Sequence, residues 1–147
     1  MDVRLETAVS LTKPWATETA EPAPYRLDVS LERENLLPVI SALFAAEWGY
    51  LSAITGVDLG TAVGVVEVLY HFCEGPCIVT LRLRVPYDDA QIDSVCSIIP
   101  SASFFERELS EMLGITIVGT PNADRLFLPD DWPLGVYPLR KEYVMQG

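Results

Sequence analysis

Four side chains in this sequence have the chemistry of metal ligands: His71, Cys73, Cys77 and Cys96. Imidazole and thiolates spaced His-x-Cys-x3-Cys, with one more cysteine downstream, could coordinate zinc or an iron–sulfur cluster. The spacing argues against it. Cys73 and Cys77 flank Glu74-Gly75-Pro76, which is turn chemistry between two strand-like runs, and Cys96 is remote from both. Buried, inert thiols are the expected outcome. The second group is Glu106, Glu108 and Glu111. On a helix Glu106 and Glu108 project about 200° apart, so they cannot act as a facing carboxylate pair. Glu108 and Glu111 share a face, as do Arg107 and Glu111, and the latter are expected to form an intrahelical ion pair. A catalytic alternative would use Glu108 or Glu111 with His71, the single histidine. A lone His among alternating apolar residues is more often structural. Asp130-Asp131 precede Trp132-Pro133 and read as a cap or turn rather than a cation site. Ser101 and Ser103 have no obvious base partner, and no glycine-rich phosphate loop or His-Glu-x-x-His is present. The inventory describes a non-catalytic module.

The elements that would position these residues follow from pattern. Residues 1–23, rich in Thr, Ala and Glu with no clear period, are expected to form a loose tail with one short strand near residues 3–9. Residues 25–31 alternate apolar and polar, the period of a half-buried strand. Asn35 is the expected cap of a helix with Pro38 in its first turn, ended by Gly49. Residues 51–57 are strand-like, and residues 64–72 and 77–85 form a hairpin rich in Val, Ile, Leu and Tyr. Residues 90–98 are expected to form a short helix. Ser103-x-x-Glu106 has capping-box spacing for a helix over residues 104–113, with Gly114 as its C-terminal stop. Past Gly119 the periodicity ends. The expected fold class is α+β: residues 24–118 form a small mixed or antiparallel sheet with helices on one face, and residues 119–147 an extended, irregular C-terminal arm.

Half of the 147 residues are hydrophobic, which excludes whole-chain disorder. The net charge of −11 repels phosphate backbones and anionic headgroups, so nucleic acid and bare membrane are poor partners. The N-terminus has acids where a secretory signal carries bases, no run is long enough to span a bilayer, and three cysteines do not suit a disulfide framework. A cytosolic chain is expected, reaching a membrane only through partners. Against this acidity, Arg125, Arg140 and Lys141 lie among Trp132, Tyr137 and several prolines within residues 119–147. Aromatics and arginines dominate interface hot spots, so the arm is expected to clasp a partner, fold back on its own domain, or do both.

One family signature is closely similar to the second half of the chain. It runs through Phe104-Phe105-Glu106-Arg107-Glu108-Leu109, Glu111-Met112-Leu113-Gly114-Ile115, Asp124-Arg125-Leu126, Leu128-Pro129-Asp130-Asp131-Trp132-Pro133 and Tyr137-Pro138-Leu139-Arg140-Lys141. These residues resemble the thirty-kilodalton or C subunit of respiratory complex I (NADH:quinone oxidoreductase) and the related subunit of membrane-bound nickel–iron hydrogenases. Gly119-Thr120-Pro121-Asn122 departs from the family's Gly-His-Pro-Asp, Leu113 replaces a Phe, and the link from Trp132 to Pro138 looks more like the hydrogenase branch. The resemblance implies a non-catalytic peripheral-arm subunit with no cofactor of its own. Iron–sulfur clusters and a flavin or nickel–iron centre would reside in partner subunits. The implied partners are the large, catalytic-type subunit of the complex and neighbouring iron–sulfur subunits, at the cytoplasmic face of the cell membrane. Glu106, Arg107, Glu108, Arg125, Asp130, Trp132, Tyr137, Arg140 and Lys141 are the implied assembly residues.

Overall fold

The computed structural model describes residues 1–144. The first departure from expectation lies at the N-terminus. Residues 3–9 are not a strand, and residues 1–23 are not loose. Helix α1 (Val3–Thr12) begins where the Asp2 side chain accepts from the Arg4 amide at 2.8 Å, and it buries Leu5, Ala8 and Thr12. That i, i+3, i+7 spacing is helical, but the small and polar residues around it hide the stripe. Strand β1 (Glu18–Ala23) follows and pairs antiparallel with β2 (Arg26–Ser30).

Helix α2 (Leu36–Ala45) puts Leu36, Val39, Ile40 and Leu43 into the core. Asn35 occupies the cap position, but its side chain makes no capping bond. Strands β3 (Tyr50–Asp58), β4 (Val65–Glu74) and β5 (Cys77–Pro86) form an antiparallel meander. Gly75, at φ +55°, opens the β4–β5 turn, a backbone region that favours glycine. β5 then pairs in parallel with β2, so the sheet is mixed, in the order β1-β2-β5-β4-β3.

The two-residue period sorts the sheet's faces. Leu27 and Val29, Val66, Val68, Tyr70 and Phe72, and Val79, Leu81, Leu83 and Val85 are buried with the apolar faces of the helices in one core. The alternate residues form the other face, where Arg82 bridges Asp28 at 2.8 Å and also pairs with Glu67. Residues 90–98 are not a helix. They contain β6 (Gln91–Asp93), which pairs in parallel with β7 (Thr116–Val118). Three-residue strands are too short to show a period.

Between β6 and β7 runs α3 (Ala102–Leu113), stopped by Gly114 at φ +75°. Its Leu109 and Leu113 lie against Gly56 of β3, where an added Cβ would stand 2.8 and 2.3 Å from their methyl carbons. Residues 119–144 contain turns and bends but no helix or strand, and residues 145–147 of the expected arm lie outside the described residues.

Candidate functional site

Glu106 does not close a capping box. The helix starts earlier, at Ala102, and no side chain caps it. Glu106 turns inward instead and is fully buried. Its carboxyl group accepts from the Ser94 hydroxyl at 2.8 Å, the Val95 amide at 3.0 Å and the Cys96 thiol at 2.8 Å. Burial and the Glu106 oxygen push the Cys96 thiol up from its usual range, keeping it protonated and unreactive. Glu106 therefore fastens α3 to the loop after β6 and cannot touch a partner in this conformation.

The next turns of α3 fasten the irregular segment. Arg107 and Glu111 do not pair with one another as the i, i+4 spacing suggested. Arg107 donates to the carbonyls of Asp124 at 3.0 Å and Arg125 at 3.2 Å. Glu111 accepts from the Phe127 amide at 2.8 Å and from the Leu126 amide. The Phe104 and Phe127 rings meet edge to face with centroids 5.4 Å apart. Glu108 is half-buried on the same helix.

Further along, Arg125 braces its own loop by donating to the carbonyls of Pro129 and Trp132. The Trp132 indole N–H donates to the Val136 carbonyl at 2.8 Å. Tyr137 lies over Gly114 so closely that an added Cβ would come within 2.4 Å of its ring. The Leu139 amide donates to the Met112 carbonyl at 2.9 Å, and the Arg140 guanidinium donates to the Leu113 carbonyl. The Arg140 guanidinium also lies 4.5 Å from the Tyr87 ring centroid and 5.7 Å from that of Tyr137. Asp130 and the Lys141 side chain are exposed.

A residue outside the expected set closes this path. Asp58, at the end of β3 and only 4% exposed, accepts from the Gly60 amide at 3.1 Å, the Lys141 amide at 2.7 Å and the Tyr87 hydroxyl. Burial alone would raise its pKa. The bonds from Tyr87, Lys141 and Gly60, with the Arg140 charge, outweigh that and hold the carboxyl below its ordinary value. A depressed carboxylate contributes stability that is complete above its unfolded pKa of about 3.9 and is lost as pH falls through the lower folded value. The expected result is that wild type exceeds Asp58→Asn in stability at pH 7 and that the gap closes on acidification below about pH 4. Paired urea titrations check this; a gap independent of pH would exclude the assigned network.

The two alternative chemistries do not assemble. His71 lies on the open face of the sheet, with its ring nitrogens 2.9 Å from Thr55 Oγ1 and 3.0 Å from Thr80 Oγ1. Burial lowers its pKa, so the ring is neutral at pH 7. α3 packs on the opposite face, against Gly56, and the Glu111 carboxylate is already occupied. Cys77 points into the core while Cys73, four residues back across the hairpin, falls on the open face. Cys96 is sequestered at Glu106. Among the described residues no group of three or more His, Cys, Asp or Glu side chains is placed to hold a metal ion. No helix among them is long and apolar enough to cross a membrane.

The family whose sequence pattern is described as the respiratory-chain NADH dehydrogenase 30 kDa subunit matches residues 29–147. The chain belongs to this family. Within it the chain is similar to the C subunit of NADH-quinone oxidoreductase from Citrifermentans bemidjiense, with 33% identity over 95% of this chain and 88% of that one. Formate hydrogenlyase subunit 5 of Escherichia coli is 34% identical over 91% of this chain, but only 23% of that protein is covered. The chain thus spans about a quarter of that relative's length. A chain in the membrane-bound sulfane sulfur reductase, an archaeal respiratory membrane complex, superposes with a TM-score of 0.82 at 24% identity, covering 98% of this chain and 87% of that one. At that identity the likeness establishes the fold, with α1 and β1 included in it. Three residues that fasten the segment were not among the expected assembly residues. Asp58 and Tyr87 left no signal beyond an acid at a strand end and an aromatic in a turn. Glu111 stood in the signature, but its spacing from Arg107 suggested an ion pair.

Proposed function

We propose that this member of the NADH dehydrogenase family is a non-catalytic subunit of a membrane-associated electron-transfer complex. It docks on the large, catalytic-type subunit of the complex and on neighbouring iron–sulfur subunits, which carry the clusters and the flavin or nickel–iron centre. It lies at the cytoplasmic face of the membrane and reaches the membrane only through those partners. The observation that carries this reading is the use made of the signature. Arg107, Glu111 and Arg140 fix the shape of residues 119–144, a long stretch that has no secondary structure of its own, while Glu106 anchors the helix that carries the first two. Ordering so many residues costs conformational entropy that a free-standing chain gains little from. A preorganised docking segment gains affinity from it. That formate hydrogenlyase subunit 5 is about four times longer than the matched region supports a large partner, since there the module is covalently joined to a larger polypeptide. Identities of 33% and 34% to dehydrogenase and hydrogenlyase relatives leave a hydrogenase-type parent as the second reading.

Expressing the chain with and without the large subunit of its complex tests the proposal. Stoichiometric co-purification is expected, with iron and flavin or nickel found only in the partner-containing sample. Failure to co-purify under conditions in which both chains are folded would overturn it. A flavoprotein that oxidises NADH in the purified complex would identify the dehydrogenase parent, and nickel in the large subunit the hydrogenase parent.

A further inference from the structure

Tyr70 is the largest fully buried side chain among the described residues. Its hydroxyl is also the single buried side-chain oxygen or nitrogen among them that makes no hydrogen bond. The ring stands on the core face of β4, paired across the ladder with Ile54 of β3 and Leu81 of β5. The phenolic oxygen lies on the axis about which the ring turns, so a ring flip cannot carry it to a partner. Buried hydroxyls in native proteins are paired with protein or with ordered water, because an orphan loses its hydration without replacement.

An unused acceptor lies in the same core. α3 crosses β3 with Leu109 and Leu113 against Gly56, and Glu106 is one turn before Leu109. Ile54, the cross-strand neighbour of Tyr70, is two residues before Gly56 on the same face. Burial, and then the charges of Glu106 and of Asp93 at the end of β6, push the Tyr70 hydroxyl well above its usual range. It therefore keeps its proton and is a donor in need of an acceptor. Glu106 Oε1 already takes the Ser94 hydroxyl and the Cys96 thiol, whereas Oε2 takes the Val95 amide alone. A carboxylate oxygen has room for two donors, so Oε2 has one acceptor position left. Ser94 Oγ is occupied both ways, donating to Glu106 and accepting from the Cys96 amide at 3.1 Å.

We infer that one buried water bridges this pair, accepting from the Tyr70 hydroxyl and donating to Glu106 Oε2. Buried waters serve groups of this kind, joining two to four polar partners that the fold leaves incomplete. Charge selects the ligand. An anion would be repelled by Glu106, and among the described residues no set of three ligand side chains is placed to hold a cation. The bridge ties the middle of β4 to α3 and to the loop after β6, the corner that Glu106 closes. It does not depend on the docking reading.

A crystal structure of the full chain, at a resolution that shows ordered water, tests the assignment together with Tyr70→Phe. One water is expected within hydrogen-bond distance, about 2.7–3.0 Å, of both Tyr70 Oη and Glu106 Oε2, and it should be missing from Tyr70→Phe. The variant should melt roughly 3 °C lower than wild type, because the phenyl ring keeps the packing and loses only the bridge. A direct bond from Tyr70 to Glu106, or no water between them, would overturn the inference. So would a melting temperature in Tyr70→Phe that is unchanged or higher, since removing an orphaned hydroxyl costs nothing.

Discussion

Replacing Glu106 with alanine is expected to lower stability by about 4 kcal/mol, the largest loss for any single carboxylate in the chain. Three buried donors, the Ser94 hydroxyl, the Val95 amide and the Cys96 thiol, converge on this one group. Truncation leaves all three without an acceptor, at about 1–3 kcal/mol for each well-buried group, and opens a cavity behind α3. For a chain of this size the loss corresponds to a melting temperature lower by roughly 12 °C. Glu106→Gln retains the volume and one carbonyl oxygen but turns an NH₂ group toward donors, so about half the loss should remain. Thermal unfolding of the three proteins checks the order. An unchanged melting temperature in Glu106→Ala would mean that the carboxyl group does not anchor the loop after β6.

Glu111→Ala is expected to act locally and to have the larger effect on assembly. The Leu126 and Phe127 amides lose a shared acceptor at the point where the irregular segment meets α3. Hydrogen bonds to a charged acceptor contribute about 1.5–3 kcal/mol each, and partial exposure places this pair near the low end. A loss of about 2–3 kcal/mol should raise the open population of the segment by roughly 30- to 150-fold while leaving the sheet intact. Amide exchange should therefore accelerate across residues 122–141 and stay slow in β4 and β5. Cleavage by trypsin after Arg125 should accelerate in parallel. Uniform acceleration across the chain would instead make Glu111 part of the global core.

Much of the sheet was legible because its strands repeat a strong pattern. Val66, Val68, Tyr70 and Phe72 alternate with half-exposed residues, and the Glu74-Gly75-Pro76 turn chemistry joined two such runs. The α+β class and the stop at Gly114 follow from signals of that kind, whereas the choice between a mixed and an antiparallel sheet rests on the parallel pairing of β2 with β5, which no local pattern shows. α1 was obscured because Leu5, Ala8 and Thr12 are too few and too mixed in polarity to outweigh the threonines and glutamates beside them. β6 and β7 were hidden because such short strands show no period, and their pairing joins Gln91 to Thr116 across the whole of α3. The candidate site was legible as a motif and illegible as geometry. Ser103-x-x-Glu106 has the same spacing whether the carboxylate folds back on its helix or turns into the core. Only the buried donors at residues 94–96 decide between them. Arg107 and Glu111 likewise match an intrahelical pair until residues 124–127 arrive to compete for them. The guanidinium donors of Arg125 and Arg140, which suggested a basic docking arm, are taken up by the chain's own carbonyls, a tertiary fact that no local pattern encodes.

The central claim is that α3 fastens residues 119–144 in a shape that a partner subunit recognises. Amide hydrogen exchange of this chain, free and bound to the large subunit of its complex, tests it most directly. New protection concentrated in residues 119–144 and the adjoining turn of α3, with the open sheet face around His71 and Arg82 unchanged, is the predicted result. Protection confined to that sheet face, with residues 119–144 exchanging as they do in the free chain, would contradict it.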